Sequence, residues 1–318
     1  MRVTVVIPTY NSKATIRATI GSVMRQTHAP DEILVLDDGS SDETISILES
    51  CQPGITVFQQ QNRGVAAARN ELCRRAGGDL IAFLDHDDIW HPGYLETQCK
   101  LHADYPGAAA LFTGHVDFRG YDDYEWIEDP MAADSTPELI GALNFLKTYH
   151  KRPGVFASMS YCCIPRTMIE RMGPAPFDVA VSGADDFCLY NRLPLLGPVA
   201  YTARPLVAYR ILKEGQSANR VKGVGLCVQS LEILHQQYEK QGNRRLLREF
   251  LAAFASKKRF YAKLLMGAGR LAEAKRQLLD SLKFQAGGVS FLKSVALLGL
   301  IRFPDSLHPA WPGSDRGE

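Results

Sequence analysis

The sequence predicts an α/β fold, with a mostly parallel central sheet flanked by helices and a C-terminal helical region. Apolar, strand-like runs alternate with helix-like segments four times within about 85 residues, which is typical of βαβ units. The 318 residues are 46% hydrophobic and 22% charged, as expected for a protein with a sizeable core. Polar clusters follow three of the predicted strands, the arrangement found where parallel sheets bind ligands.

Each predicted strand in the first part of the chain is a short apolar run that ends in turn residues. These strands cover 3–7, 33–36, 55–60 and 80–84. The segments between them show apolar residues every three or four positions and begin with possible capping residues such as Asn11 or Ser12. Further along, 110–118 resembles a strand, and 137–150, 165–172 and 182–193 resemble helices.

The charge distribution divides the chain into two predicted domains, 1–218 and 219–318. The second holds 17 Lys and Arg against 8 Asp and Glu, whereas the first holds 19 against 27. An acidic first domain argues against nucleic acid as its ligand. The basic, amphipathic helices of 219–318 fit either an anionic membrane or protein partner, or a helical cap on the sheet domain, which we prefer.

Three polar clusters, 8–11, 37–40 and 85–88, each follow the end of a predicted strand. Ligands of open α/β sheets bind outside the carboxyl ends of the strands, so these clusters should converge. Asp85, Asp87 and Asp88 place three carboxylates within four residues, which repel one another unless a cation neutralises them. A hard divalent ion fits this chemistry, and an acidic turn or helix cap is the alternative.

Five segments together carry a family resemblance: "VVIPTYN", "LVLDDGSSDET", "QQNRGVAAARN", "AFLDHDD" and "SGADDFCLYNRL". Over roughly residues 1–212 the chain resembles family 2 glycosyltransferases. That resemblance implies the GT-A fold, a nucleotide-diphosphate sugar as donor and inversion at the anomeric carbon.

The resemblance also implies which side chains bind the donor. The nucleoside would be contacted by Pro8, Thr9, Tyr10, Asp37 and Asp38. Asp38 would accept a hydrogen bond from the base, which favours a UDP-sugar. Simple turn and cap chemistry is the other interpretation of the Asp37-Asp38 pair, although Ser40, Ser41 and Asp42 supply a cap without it.

The D-x-D motif of the family matches Asp85-x-Asp87, and the resemblance assigns Asp87 to Mn²⁺ or Mg²⁺. Asp85 is the second candidate metal ligand and could instead reach the ribose. His86, between them, is counted among the donor-binding candidates although its side chain is expected to point away. Arg69 is expected to pair with a carboxylate of this cluster, either structurally or while approaching the diphosphate.

An inverting transfer needs one carboxylate as general base for the acceptor hydroxyl. The acidic pair of the family falls on Asp185-Asp186, with Asp186 preferred and Asp185 possible if the register shifts by one residue. Both could instead be helix caps. Leu212 stands where many relatives have a His near the metal or diphosphate, so we assign no His ligand.

The sequence thus predicts a metal-dependent, inverting glycosyltransferase that acts on a glycan or lipid-linked acceptor. The loops 117–136 and 150–165 are expected to select the sugar and the acceptor. A non-catalytic binding or scaffold protein and a nucleotide-sugar-forming nucleotidyltransferase are the alternatives. Seven scattered cysteines and no membrane span predict a cytoplasmic protein, with peripheral membrane contact through the basic tail.

Overall fold

The computed structural model describes residues 1–121, 123–126, 129–131, 135–156, 158–212, 219–284 and 289–301. The chain divides into two compact units, Met1–Gly215 and Gln216–Glu318. The predicted boundary after residue 218 falls at the end of 213–218, outside the described residues, and so stays a prediction. The last part of the predicted helical region, 302–318, also lies outside them.

One sheet contains the nine strands found in the described part of the first unit. They are β1 (Val3–Thr9), β2 (Glu32–Asp37), β3 (Thr56–Gln59), β4 (Leu80–Phe83), β5 (Ile89–Trp90), β6 (Ala110–Phe118), β7 (Glu138–Ile140), β8 (Cys162–Pro165) and β9 (Val199–Arg210). The strand order is β3-β2-β1-β4-β8-β6-β9-β5, and β7 pairs with β9. The α/β class with a central sheet is confirmed.

Helices connect and flank these strands. They are α1 (Ile16–Met24), α2 (Thr44–Ser50), α3 (Val65–Arg75), α4 (Tyr94–Asp104), α5 (Ala142–Lys151), α6 (Arg166–Met172) and α7 (Asp185–Arg192). The prediction of one helix over 137–150 is wrong at its start, because 138–140 forms β7 and pairs with β9. Gly141, in an extended conformation, separates that strand from α5.

The parallel half of the sheet places strand ends at one edge. β1 pairs in parallel with β2 and with β4, and β6 pairs in parallel with β9. β8 runs antiparallel between β4 and β6, so its first residue, Cys162, lies near the end of β4 and opposite Phe112 of β6. All seven residues of β1 are buried, as expected for a parallel strand covered on both faces.

The second unit is helical throughout its described residues. Its helices are α8 (Arg220–Lys240), α9 (Arg244–Gly267), α10 (Leu271–Lys283) and α11 (Val289–Leu300). Apolar residues of α9 and α10, including Leu265 and Leu278, are fully buried within one cluster. None of the helices among the described residues combines the length and the apolar character needed to span a membrane.

Candidate active site

The ends of β1 and β2 bring five predicted nucleoside-binding residues together. Thr9 is in register with Asp37, and the Asp38 amide donates to the Thr9 carbonyl at 2.8 Å. Pro8 and Thr9 are buried, while the Tyr10 side chain is exposed beyond the strand. The convergence expected at this edge of the sheet is therefore present for the first two polar clusters.

The two carboxylates of this region are engaged by neighbouring loops. Asp37 accepts a hydrogen bond from the Ser40 amide at 2.9 Å, so its carboxylate is part of the turn that follows β2. Asp38 accepts from the Gln60 side chain at 2.7 Å and from the Gly64 amide at 2.8 Å. Both residues are almost fully buried, so they fix the loops that follow β2 and β3.

Asn11 connects two loops at the same edge. It has a φ of 47°, in the left-handed region that asparagine tolerates better than most residues. Its amide donates to the Ser40 hydroxyl at 2.8 Å, and its side-chain oxygen accepts from the Ser41 amide at 2.9 Å. The expected cap of the first helix is therefore a loop connector, and α1 begins only at Ile16.

Arg69 joins the D-x-D motif to the acidic pair. Its guanidinium lies 2.5 Å from Asp85 and 2.6 Å from Asp185, although these residues are 16 and 116 positions away in sequence. Arg69 is 5% exposed. Burial opposes its charge, but Asp85 and Asp185 outweigh this and raise the pKa of Arg69. Three segments distant in sequence thus meet at one buried ion-pair network.

The two members of the acidic pair have different surroundings. Asp185 is buried, and besides Arg69 it accepts a hydrogen bond from the Gly183 amide at 3.0 Å. Asp186 is half-buried and accepts from the Phe187 amide at 2.6 Å. Desolvation by burial, together with the charge of Asp185, raises the pKa of Asp186 to about 7. A carboxyl group with this pKa can accept a proton near neutral pH.

Asp88 fixes the conformation of the D-x-D loop. Its carboxylate, 0% exposed, accepts from the Ser160 hydroxyl at 2.6 Å and from the Arg210 amide at 2.9 Å. The Arg210 guanidinium donates to the Asp87 carbonyl at 2.6 Å. Ser158 donates to Asp85 at 3.1 Å. Sequence reasoning assigned no role to these two serines or to Arg210, because only the fold brings them to the loop.

Asp87 presents the carboxylate best suited to an added cation. Burial raises its pKa, while neighbouring His86 opposes this. Apart from its own amide, no described residue donates to or pairs with the Asp87 side chain. The described residues contain no group of three His, Cys, Asp or Glu side chains able to hold a metal alone. Leu212, half-buried, supplies no ligand. A cation at Asp87 would therefore need further ligands from a substrate or from water.

Comparison with known proteins identifies the family. The family model described as Glycosyl transferase family 2 matches residues 4–171, more than half of the chain. The chain belongs to glycosyl transferase family 2. The matched segment contains Asp37 and Asp38, Arg69 and the D-x-D loop, and it ends before Asp185.

Curated members of this family match a shorter part of the chain. The E. coli protein UDP-Glc:alpha-D-GlcNAc-diphosphoundecaprenol beta-1,3-glucosyltransferase WfgD is 44% identical over 101 residues, 31% of this chain and 40% of that protein. The putative teichuronic acid biosynthesis glycosyltransferase TuaG of Bacillus subtilis is 38% identical over 117 residues, 36% of this chain and 46% of that protein. The chain thus matches less than half the length of these relatives.

Solved structures confirm the fold over most of the chain. The crystal structure of S. aureus TarS 1-349 superposes with a TM-score of 0.62 at 17% identity, covering 95% of this chain and 90% of that one. The complex of the same protein with UDP-GlcNAc gives 0.59 at 15% identity. At this identity the likeness concerns the architecture, and the predicted GT-A class is confirmed.

Proposed function

We propose that the protein transfers a sugar from a UDP-sugar to a glycan or lipid-linked acceptor in polysaccharide assembly, with inversion and with a divalent cation. The family membership supports glycosyl transfer. The donor class is supported by the UDP-GlcNAc complex of TarS and by the name of WfgD, a UDP-Glc-dependent enzyme with a diphosphoundecaprenol-linked acceptor.

One observation carries the proposal: Arg69 bridges Asp85 and Asp185 inside the fold. The alternative interpretations of these motifs are a surface turn and a helix cap. Neither requires a buried guanidinium between the two motifs. A buried network costs desolvation free energy, and such polar clusters are typical of functional sites. The bridge also holds Asp87 and Asp186 in one neighbourhood, since each is adjacent in sequence to a bridged motif residue.

In the proposed reaction, an acceptor hydroxyl oxygen attacks the anomeric carbon as the bond to the diphosphate breaks. The bonding electron pair leaves on the phosphate oxygen of UDP. Asp186 accepts the acceptor proton, for which its pKa of about 7 is suited, whereas Asp185 is occupied by Arg69.

Asp87 would hold Mn²⁺ or Mg²⁺ together with the diphosphate, because cations of this kind combine one or two carboxylates with phosphate oxygens. Such a cation, when bound, neutralises the charge that develops on the leaving group. Asp85 has its oxygens directed to Arg69 and Ser158, so we assign it to orientation of the loop. Pro8, Thr9, Tyr10 and Asp38 remain the proposed contacts to the nucleoside.

Isothermal titration calorimetry with nucleoside diphosphates tests this proposal. We expect UDP to bind wild type with Mn²⁺ and to bind at least tenfold more weakly with chelator. Asp87→Ala should abolish the metal dependence. Asp104→Ala, an exposed aspartate at the end of α4, is the matched control and should behave as wild type.

If no nucleoside diphosphate binds wild type with Mn²⁺, the catalytic proposal is wrong. If UDP binds equally well with and without metal, the metal-dependent part alone is wrong. The cytoplasmic location and the peripheral membrane contact of the basic tail stay predictions, and vesicle flotation would test the latter.

A further inference from the structure

Three aromatic rings border the carboxylate cluster on strands that follow β4 in the sheet. His115 lies on β6, Tyr161 directly precedes β8, and Tyr209 lies near the end of β9. The rings of His115 and Tyr161 are stacked, with centroids 4.3 Å apart and an angle of 9°. Tyr209 meets both edge-on, at 5.9 Å from Tyr161 and 6.3 Å from His115. We call these three residues the aromatic wall.

Two hydroxyl groups of the aromatic wall have no hydrogen-bond partner among the described residues. Tyr161 is 0% exposed, and its hydroxyl oxygen is buried without a partner. Tyr209 is half-buried, and its hydroxyl takes part in none of the hydrogen bonds found among the described residues. Tyr161 is enclosed, so the half-buried Tyr209 hydroxyl is the one that a ligand could reach. Leaving a polar group unpaired in a partly desolvated place costs free energy, which a ligand hydroxyl bonded to Tyr209 would offset.

Tyr209 also stands close to the reacting groups. Burial raises its pKa, and the charges of Asp88, Asp85, Asp87 and Asp186 add to this effect. Its hydroxyl therefore stays protonated and can donate. The residue that follows Tyr209 is Arg210, whose guanidinium donates to the Asp87 carbonyl. Tyr209 is thus adjacent in sequence to a residue that contacts the D-x-D loop.

The order of strands indicates which substrate would meet this wall. The nucleoside contacts lie at the ends of β1 and β2, and the D-x-D loop follows β4. The wall comes from β8, β6 and β9, which lie beyond β4 on the opposite side from β2. A donor extended from nucleoside to diphosphate along this edge would leave the wall to the molecule that receives the sugar.

We propose that Tyr209 contacts the sugar ring of a carbohydrate acceptor, with its hydroxyl bonded to an acceptor hydroxyl and its ring packed against the sugar. His115 and Tyr161 hold that ring in place. Aromatic side chains with a few placed polar groups are typical of small-ligand sites. The inference rests on the proposed function, since it names the acceptor side of the same site.

Saturation-transfer NMR with methyl glycosides of common hexoses and N-acetylhexosamines, in the presence of UDP and diamagnetic Mg²⁺, tests the inference. We expect at least one glycoside to bind wild type, Tyr209→Phe to weaken that binding about 3- to 10-fold, and Tyr209→Ala to weaken it further. UDP affinity and the thermal unfolding midpoint should not change in Tyr209→Phe. Tyr201→Phe, from the other half of β9, is the matched control and should bind like wild type.

Equal glycoside binding by wild type and both Tyr209 variants would overturn the inference, as would absence of glycoside binding by wild type. A parallel loss of UDP affinity in Tyr209→Phe would overturn it in favour of a donor-side contact. UDP binding by wild type is measured separately. If it is present while the glycoside result is negative, the inference alone fails, and if it is absent the proposed function fails as well.

Discussion

Replacing Arg69 by methionine tests whether the buried network stabilises the fold as strongly as its geometry implies. The substitution keeps an apolar stem of similar length but removes the guanidinium. Asp185, whose side chain is 2% exposed, would then be a buried carboxylate without its cation. Asp85, at 25% exposed, would lose the same partner but could be solvated in part.

The contacts of Arg69 with Asp185 and with Asp85 should contribute differently to the free energy of unfolding, because the two carboxylates differ in exposure. Removing one partner of a fully buried ion pair typically costs about 3–5 kcal/mol. The partly exposed Asp85 contact adds little because water screens it. We therefore expect Arg69→Met to lower the free energy of unfolding of the first unit by about 3–5 kcal/mol, which shifts a urea midpoint down by about 1–2 M.

Urea unfolding followed by tryptophan fluorescence measures this change. A Trp311→Phe background restricts the signal to Trp90 and Trp126, both in the first unit. Arg74→Met is the matched control on the same helix, because Arg74 is 64% exposed and its pair with Glu71 should contribute at most about 1 kcal/mol.

A second variant distinguishes loss of the ion pair from loss of packing. In Arg69→Met/Asp185→Asn the unpaired buried charge is gone, so the double variant should be more stable than Arg69→Met alone. The reasoning is refuted if Arg69→Met changes stability no more than Arg74→Met does. It is also refuted if Asp185→Asn gives no recovery.

Three other measurements follow from the structure. Asp186 must be ionised to accept a proton, and its pKa is raised to about 7. Transfer activity should therefore rise with pH through about 7 in a pH–rate profile, and Asp186→Asn should lower kcat at least 100-fold. Gly64 has a φ of 86°, and a β-carbon there would lie 2.7 Å from a neighbouring hydroxyl, so Gly64→Ala should lower the free energy of unfolding by about 1–2 kcal/mol in urea. Gly107→Ala, where the β-carbon would enter open space, should leave it unchanged. Lys258→Met should change stability by less than about 1 kcal/mol, because its partner carboxylates, Glu232 at 50% exposed and Asp280 at 29%, can both be solvated. A loss above about 2 kcal/mol in calorimetric unfolding would contradict this.

The parallel half of the sheet was predictable because β1, β2 and β4 are almost entirely buried, whereas β3 at its edge is not. Buried strands appear in sequence as continuous apolar runs, and β1, β2, β3 and β4 were each predicted to within a few residues. The antiparallel part was harder. β5 has two residues and β8 four, and the sequence of β9 is interrupted by Arg204 and Pro205. These strands depend on partners far away in sequence, which periodicity does not reveal.

The candidate site was predictable as a set of residue types but not as a set of contacts. Carboxylates at strand ends are visible in sequence, whereas their partners come from elsewhere in the fold. Asp88 bonds to Ser160 and to the amide of Arg210, 72 and 122 positions away. A serine carries no sequence signal for such a role. The preference for Asp186 over Asp185 likewise has a physical reason only in the structure, where the Arg69 guanidinium is paired with the Asp185 carboxylate.

The carboxylates at this edge of the sheet fall into two groups: those whose charge is compensated by neighbouring side chains or amides, and those whose charge is not. Arg69 compensates Asp85 and Asp185, and Asp88 is enclosed by hydroxyl and amide donors. Asp87 and Asp186 have neither an ion-pair partner nor a side-chain hydrogen-bond donor among the described residues, and burial raises the pKa of both. A carboxylate held without a cation in a half-buried place is stabilised by whatever brings positive charge to it, a metal ion at Asp87 and a proton at Asp186. The sugar transfer proposed above would supply both, because a diphosphate could bind together with a divalent cation and an acceptor hydroxyl would release a proton.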